Sequence, residues 1–154
     1  MNPDLEIIPF KKEFSQRFYD LNAAWLKKYF YIEPYDEKVL SRPNTYIIAE
    51  GGYIFFARYK NEIVGVVSLI NQKSFFELSK MAVEPNFQGL KIGKELVEYC
   101  IAFAKQKKWG NIILYSHRSL ETAIHLYKKM GFVEIPVEKN SHYKRANIKM
   151  ILEF

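Results

Sequence analysis

The chain has 154 residues, of which 49% are hydrophobic and 26% charged; this fits one folded domain over 1–154 and excludes a disordered or fibrous polymer. No apolar run approaches the roughly 20 residues of a membrane-crossing helix, and the opening MNPDLEIIPFKKEF carries acids and prolines where an export signal has a basic end and an apolar stretch, so a cytoplasmic location and no membrane partner are expected. The net charge of +6 suits a phosphorylated cofactor, nucleic acid or an acidic surface, but the lysines are scattered among acids and do not choose between them.

Residues 5–10 form a short strand candidate. From 11 to about 29, Phe14, Phe18, Leu21, Trp25 and Tyr29 recur every three or four positions, which predicts an amphipathic helix. Residues 31–43 have prolines near both ends and room for one short helix. The β-rich runs 53–59 and 62–70 are separated only by Lys60 and Asn61, the mark of a tight antiparallel hairpin. Residues 75–83 form another strand, closed by Pro85. Strict alternation there puts Glu77, Ser79, Met81 and Val83 on one face and buries Lys80 beside Leu78 and Ala82, so an irregularity is expected.

A glycine-bearing loop, FQGLKIG, then opens a helix that ends near Gly110. Its stripe Leu96, Val97, Cys100, Ile101 and Ala104 reads as buried. Cys100 is the only cysteine, which excludes an intramolecular disulfide and a multi-cysteine zinc site. His117, His125 and His142 lack metal-ligand spacing, so no metal is expected. The basic patch KQKKWG lies at the helix end, where lysines oppose the negative end of the dipole. Residues 111–116 form a strand, and Ser119 is placed to cap a helix running to Met130 with Gly131 as its stop. Two closing strands, 131–138 and 145–154, complete a mixed α/β (α+β) sheet with helices packed on it.

The strand–loop–helix order over 75–108 aims unpaired helix N–H groups at one point, an arrangement suited to a phosphate. Gly89 and Gly93 would let a diphosphate approach without a Cβ in the way. Their spacing fits neither a Walker A loop nor a GxGxxG fingerprint. Alternatively, Gly89 ends a turn and Gly93 lets the helix pack closely on the sheet.

The segment MAVEPNFQGLKIGKELVEYC resembles the acyl-coenzyme-A-binding segment of the GNAT superfamily of N-acetyltransferases, with Gln88 and Gly93 at the outer positions of its motif. AIHLYKKMGF, residues 123–132, is similar to that family's second signature. The order and separation of the two also match, so the resemblance covers nearly the whole chain. It implies a GNAT-like fold and transfer of an acetyl group from acetyl-coenzyme A to an amine without a covalent acetyl-enzyme. Met81, Ala82 and Val83 would hold the pantetheine arm and the developing oxyanion. Gln88, Gly89, Leu90, Lys91, Ile92, Gly93 and Lys94 would hold the diphosphate.

Two positions depart from the family pattern. Lys91 replaces the middle glycine, offering either its N–H alone or its ammonium to a phosphate. Leu120 stands where many relatives have Asn, leaving Ser116 and His117 as substitutes or as ordinary strand-end and cap residues. By resemblance, Tyr127 is the proton donor to the departing thiolate, or else core packing, and Glu77 is the base for the amine, directly or through a water, or else only a solvated acid. The segment 24–40 resembles the variable region that shapes acceptor sites. There Glu33 and Asp36 would attract a cationic amine and Trp25, Tyr29 and Tyr31 would pack against it, whereas Arg145 would suit a carboxylate. A homodimer is possible in such a family. A non-catalytic domain that senses acyl-coenzyme A or binds nucleic acid is the alternative.

Overall fold

Lys60 and Asn61 both take left-handed backbone, with φ of 47° and 69°. That is the pair of conformations a two-residue type I′ turn requires, and it joins β2 (Tyr53–Tyr59) to β3 (Glu62–Asn71) as the sequence predicts. The computed structural model describes residues 2–154. Around this hairpin stand β1 (Leu5–Pro9), β4 (Phe76–Val83), β5 (Asn111–Ser116), β6 (Val133–Ile135) and β7 (Ile148–Glu153). They form one sheet of seven strands in the order β1-β2-β3-β4-β5-β7-β6.

Every neighbouring pair is antiparallel except β4–β5, which runs parallel and pairs only at Glu77 and Ile113. Past that point the two strands part, and the sheet opens a gap at its centre. Helices α1 (Ser15–Tyr29) and α2 (Pro34–Ser41) cover one face, where Phe18, Leu21, Leu40, Ile47 and Phe56 form a core. Helices α3 (Ile92–Gln106) and α4 (Glu121–Lys129) cover the other, around Leu69, Leu96, Val97, Cys100 and Leu114. Cys100 lies in this core as its periodicity predicts, and burial pushes its thiol pKa well up, leaving it inert. Among the described residues no helix is long and apolar enough to cross a membrane.

The close approach of helix α3 to the sheet is made at Gly65 of β3, not at the helix's own Gly93. A Cβ at Gly65 would meet Ile92 at 3.1 Å and Ala57 and Leu96 at 3.3 Å, whereas one at Gly93 would meet nothing within 4 Å. The close-packing explanation for Gly93 therefore falls. The basic patch after α3 is anchored by its aromatic neighbours: Lys107 lies over the Tyr53 and Phe103 rings, and Trp109 stacks on Phe76 with centroids 3.7 Å apart.

Three boundaries differ from the sequence reading. A 3₁₀ turn, Lys12–Phe14, precedes α1. Helix α4 begins at Glu121 with Leu120 at its N-cap; Ser119 caps nothing, because its hydroxyl is bonded to His117 Nδ1 at 2.7 Å. The strand expected over 131–138 shrinks to β6, since Pro136 has no N–H for a ladder, and the chain then loops over 136–147 before β7.

Gly65→Val should overpack this contact and lower stability by about 1–3 kcal/mol, read from denaturant unfolding. Gly93→Ala, in open space on a helix, should leave stability within about 1 kcal/mol of wild type by the same measurement.

Candidate active site

The irregularity expected in β4 is a bulge. Val66 faces Ala82 but Ser68 faces Ser79, so β4 carries one residue more than β3 over this stretch. Lys80 sits in the bulge with φ of 52°, a left-handed backbone that costs a non-glycine residue roughly 1–2 kcal/mol. The bulge does not release Lys80 to solvent. Its Nζ is buried and donates to Asp36 Oδ1 at 2.8 Å and to the Tyr143 hydroxyl at 3.2 Å.

Asp36, 0% exposed, gathers four donors. The Arg145 guanidinium grips it with two nitrogens, at 2.6 Å to Oδ2 and 3.0 Å to Oδ1, and the Glu33 N–H reaches Oδ2 at 3.0 Å. Lys80 completes the set. Burial by itself would raise the Asp36 carboxyl pKa; the Arg145 hydrogen bonds and the Lys80 charge outweigh it and hold the group below the ordinary value. Burial likewise pulls the Lys80 ammonium down, with Asp36 opposing. Glu33 accepts from the Lys144 N–H at 2.8 Å and from Arg145 at 2.8 Å. The start of α2 is thereby fastened to the 136–147 loop.

Glu77, 1% exposed, lies one layer further in. Its Oε1 accepts from Gln72 Nε2 at 2.8 Å and its Oε2 from the Tyr143 hydroxyl at 3.0 Å. That hydroxyl also lies 3.2 Å from Ser79 Oγ. Burial, reinforced by the negative charge of Glu77, raises the Tyr143 pKa far above that of a free phenol.

The gap between β4 and β5 is a cleft of about 170 Å³. Its walls are Ser79, Lys80 and Met81 from β4, Tyr115 and Ser116 from β5, Trp25 from α1, Ala123 and Tyr127 from α4, and Tyr143 and Arg145 from the loop. Phe30, His117 and Leu120 also face it, which puts the departure at Leu120 and its suggested substitute His117 at the cleft wall. Tyr127 makes no side-chain hydrogen bond among the described residues, and burial raises its pKa to about 12.

The diphosphate loop candidate lies at the mouth of α3. Gly89 has φ of +91° and Lys91, at the N-cap, has φ of 62°. This left-handed turn is the physical reason a glycine suits position 91, and lysine adopts it with its side chain exposed. The first helical bond runs from the Glu95 N–H to the Lys91 carbonyl, so the N–H groups of Ile92, Gly93 and Lys94 have no partner within the helix. A Cβ built at Gly89 or Gly93 would stand in open space. These residues fit an anion held against bare backbone.

The residues singled out from the sequence are thus distributed unevenly. Met81, Tyr127, Trp25 and Arg145 meet at the cleft; Ala82 points into the α1–α2 core. Val83 and Gln88 line a second cavity of about 270 Å³ that shares Trp25 with the cleft. Three acceptor-side expectations need correction. Tyr31 is 55% exposed and stands away from both cavities. Glu33 and Asp36 are saturated by cations and N–H groups, and Arg145 is occupied by both of them, so these charges bind one another. Tyr143, Lys80 and Gln72 were not among the sequence candidates. Only Lys80 gave a signal, a charge in phase with buried strand positions.

A family model for the acetyltransferase (GNAT) family matches residues 10–132, and the chain belongs to that family of acyltransferases. An uncharacterized N-acetyltransferase of Dictyostelium discoideum is 43% identical over 58 residues, which is 38% of this chain and 27% of that protein. The chain spans from 27% to 52% of the length of the curated relatives it matches. Among solved structures, a GNAT-family acetyltransferase from Staphylococcus aureus Mu50 superposes with TM-score 0.85 at 22% identity, covering 97% of this chain and 98% of that one. The PaiA N-acetyltransferase of Thermoplasma acidophilum, solved with coenzyme A, gives TM-score 0.75 at 20% identity, over 97% and 99% of the two chains. The fold is shared with both.

Asp36→Asn should destabilise the protein by about 3–5 kcal/mol, since it leaves buried Lys80 and Arg145 without their shared anion. Because the folded pKa of Asp36 is depressed, its contribution is complete above the unfolded carboxyl value of about 4 and is lost as pH falls through the folded one. Unfolding free energy measured from pH 7 downward should therefore fall more steeply in wild type than in the variant.

Proposed function

We propose that the chain is an N-acetyltransferase that moves an acetyl group from acetyl-coenzyme A to a primary amine by direct attack in a ternary complex. The observation that carries this reading is a pair of features in one chain: open glycine faces and unpaired N–H groups at the mouth of α3, and a cleft between parted strands with a free tyrosine hydroxyl in its wall. Coenzyme A, when bound, supplies the acetyl group as a thioester and carries the leaving sulfur.

The chain's own residues answer the chemical demands in turn. Ile92, Gly93 and Lys94 offer N–H groups and the positive end of a helix to the diphosphate. Gly89 and Gly93 keep the approach clear, and Lys91 and Lys94 add positive charge at the entrance. The backbone of Met81 to Val83, released from β5 by the parting of the strands, is available to the pantetheine arm and to an oxygen that gains negative charge. Tyr127, a phenol whose pKa burial raises further to about 12, holds its proton at neutral pH and can give it to the departing sulfur. Trp25, Phe30 and Tyr115 give the acceptor side an aromatic wall.

The test is release of free thiol from acetyl-coenzyme A across amino acids, polyamines, aminoglycosides and peptide N-termini. Tyr127→Phe should lower kcat by about 100-fold or more while acetyl-coenzyme A affinity stays within about twofold, the range of a removed proton donor with intact binding. With a Tyr127 pKa of about 12, the wild-type rate should show no loss attributable to this group until the pH nears that value. Absence of both turnover and thermal protection by acetyl-coenzyme A would overturn the proposal.

The cradle has its own check. Gly93→Leu fills the open face and should weaken acetyl-coenzyme A binding by at least about tenfold, about 1.4 kcal/mol, in calorimetric titration. Its unfolding midpoint should stay near that of wild type.

A further inference from the structure

We propose that Tyr143 is the acid–base residue that touches the acceptor amine, and that Glu77 is a positioning residue that receives the proton only through it. This rests on the acetyltransferase reading above and adds the route by which the amine is deprotonated. Three observations carry it. Glu77 has no surface in the cleft: it is 1% exposed and both of its oxygens are engaged, one by Gln72 and one by Tyr143. Tyr143 does stand in the cleft wall, which Tyr127 also lines, and lies beside Ser79. Its hydroxyl is the hydrogen-bonded link between that wall and the buried carboxylate, donating to Glu77 Oε2 at 3.0 Å.

The hydroxyl has one proton and two lone pairs. The proton goes to Glu77. Lys80 donates to one lone pair at 3.2 Å, and the other serves Ser79 in the free protein and the acceptor N–H in the complex. The acceptor ammonium gives its first proton to Tyr143 Oη as the hydroxyl's own proton passes to Glu77 Oε2, and the lone pair so freed forms the bond to the thioester carbonyl carbon. Tyrosine ends as it began, neutral, and Glu77 carries the proton. The carbon–sulfur bond breaks with the electron pair on sulfur, which takes the proton of Tyr127. The second amine proton, left on the nitrogen after the attack, reprotonates Tyr127, and the Glu77 proton returns to solvent, so the sum releases one proton for each protonated amine consumed.

The groups around Tyr143 favour a relay over a free phenolate. Glu77, Ser79 and Lys80 face it from β4, Tyr35 from α2, Tyr115 from β5, and His142 and Arg145 from its own loop, with Asp36 of α2 behind Lys80 and Arg145. Lys80 and Arg145 both lie over its ring, at 4.5 and 4.7 Å from the centroid, but each is already paired with Asp36. Burial and Glu77 oppose ionisation of the phenol, so a proton leaving the amine must displace one toward the carboxylate.

The experiment compares wild type, Tyr143→Phe, Glu77→Gln and the double variant, using the best alkylamine from the panel and, separately, hydroxylamine. The alkylamine arrives protonated at neutral pH; hydroxylamine arrives largely unprotonated. Each single variant should lower kcat/KM for the alkylamine by about 100-fold and remove the acidic limb of its pH profile, with acetyl-coenzyme A binding unchanged. The double variant should be no worse than either single, because the two groups act as one unit. With hydroxylamine the loss should shrink below about tenfold, since the proton to be moved is already gone. Equal losses with both amines, multiplicative losses in the double variant, or a Tyr143→Phe enzyme with the wild-type pH profile would each overturn the relay. Wild type that binds acetyl-coenzyme A but turns over no amine also overturns it while leaving the cofactor reading standing; failure to bind acetyl-coenzyme A overturns that reading instead.

Discussion

Asp36 must be buried between two cations for the cleft to have its shape. Removing a carboxylate and two cations from water costs several kcal/mol for each ion, and only close, well-aligned pairing offsets it. Here the alignment is bidentate from Arg145 and direct from Lys80, with a backbone N–H supplying the fourth bond. Such a cluster contributes little net stability compared with an apolar core of the same volume. What it does contribute is position. It fixes the first turn of α2, the bulge in β4 and the 136–147 loop relative to one another, three segments that share no hydrogen-bonded ladder.

The bulge is the second consequence. A strand in regular alternation from Leu78, which packs in the α3–α4 core, would drive the Lys80 ammonium into that apolar core. The extra residue turns the chain so that the ammonium reaches Asp36, and β4 leaves its parallel partner β5 after a single pairing at Glu77. Parallel strands are ordinarily buried and continuous. This pair is interrupted at the centre of the sheet, and the interruption is the cleft. The left-handed strain at Lys80 is held by the surrounding ion pairs, so strain and cleft share one cause.

The two ends of the site are built by different physics. At the mouth of α3, charge is supplied by backbone: unpaired N–H groups, a helix dipole and two glycines with open faces. The exposed Lys94–Glu98 pair, at 3.7 Å, adds no more than about 0.5 kcal/mol at such a surface. In the cleft wall, charge is supplied by side chains that neutralise one another, which leaves tyrosine hydroxyls and aromatic faces as the groups available to a ligand. The net charge of +6 belongs mainly to the exterior and says little about the cleft.

What the sequence determined by itself is local. Lys60 and Asn61 between two β-rich runs specify a hairpin, the stripe from Leu96 to Ala104 specifies a buried helix face, and the paired signatures point to the family and to Tyr127. The first two rest on periodicity or on near neighbours in the chain, and the third on the resemblance of two short segments to a family. The tertiary structure alone decided the fate of the charges. Lys80 meets Asp36 across 44 positions and Tyr143 across 63, and Tyr143 meets Glu77 across 66. Nothing in the alternation of β4 tells whether Glu77 faces a cleft or a tyrosine, and nothing near Glu33 or Arg145 tells that they face each other. A residue's period fixes its side of an element; only the packing of distant elements fixes what waits on that side.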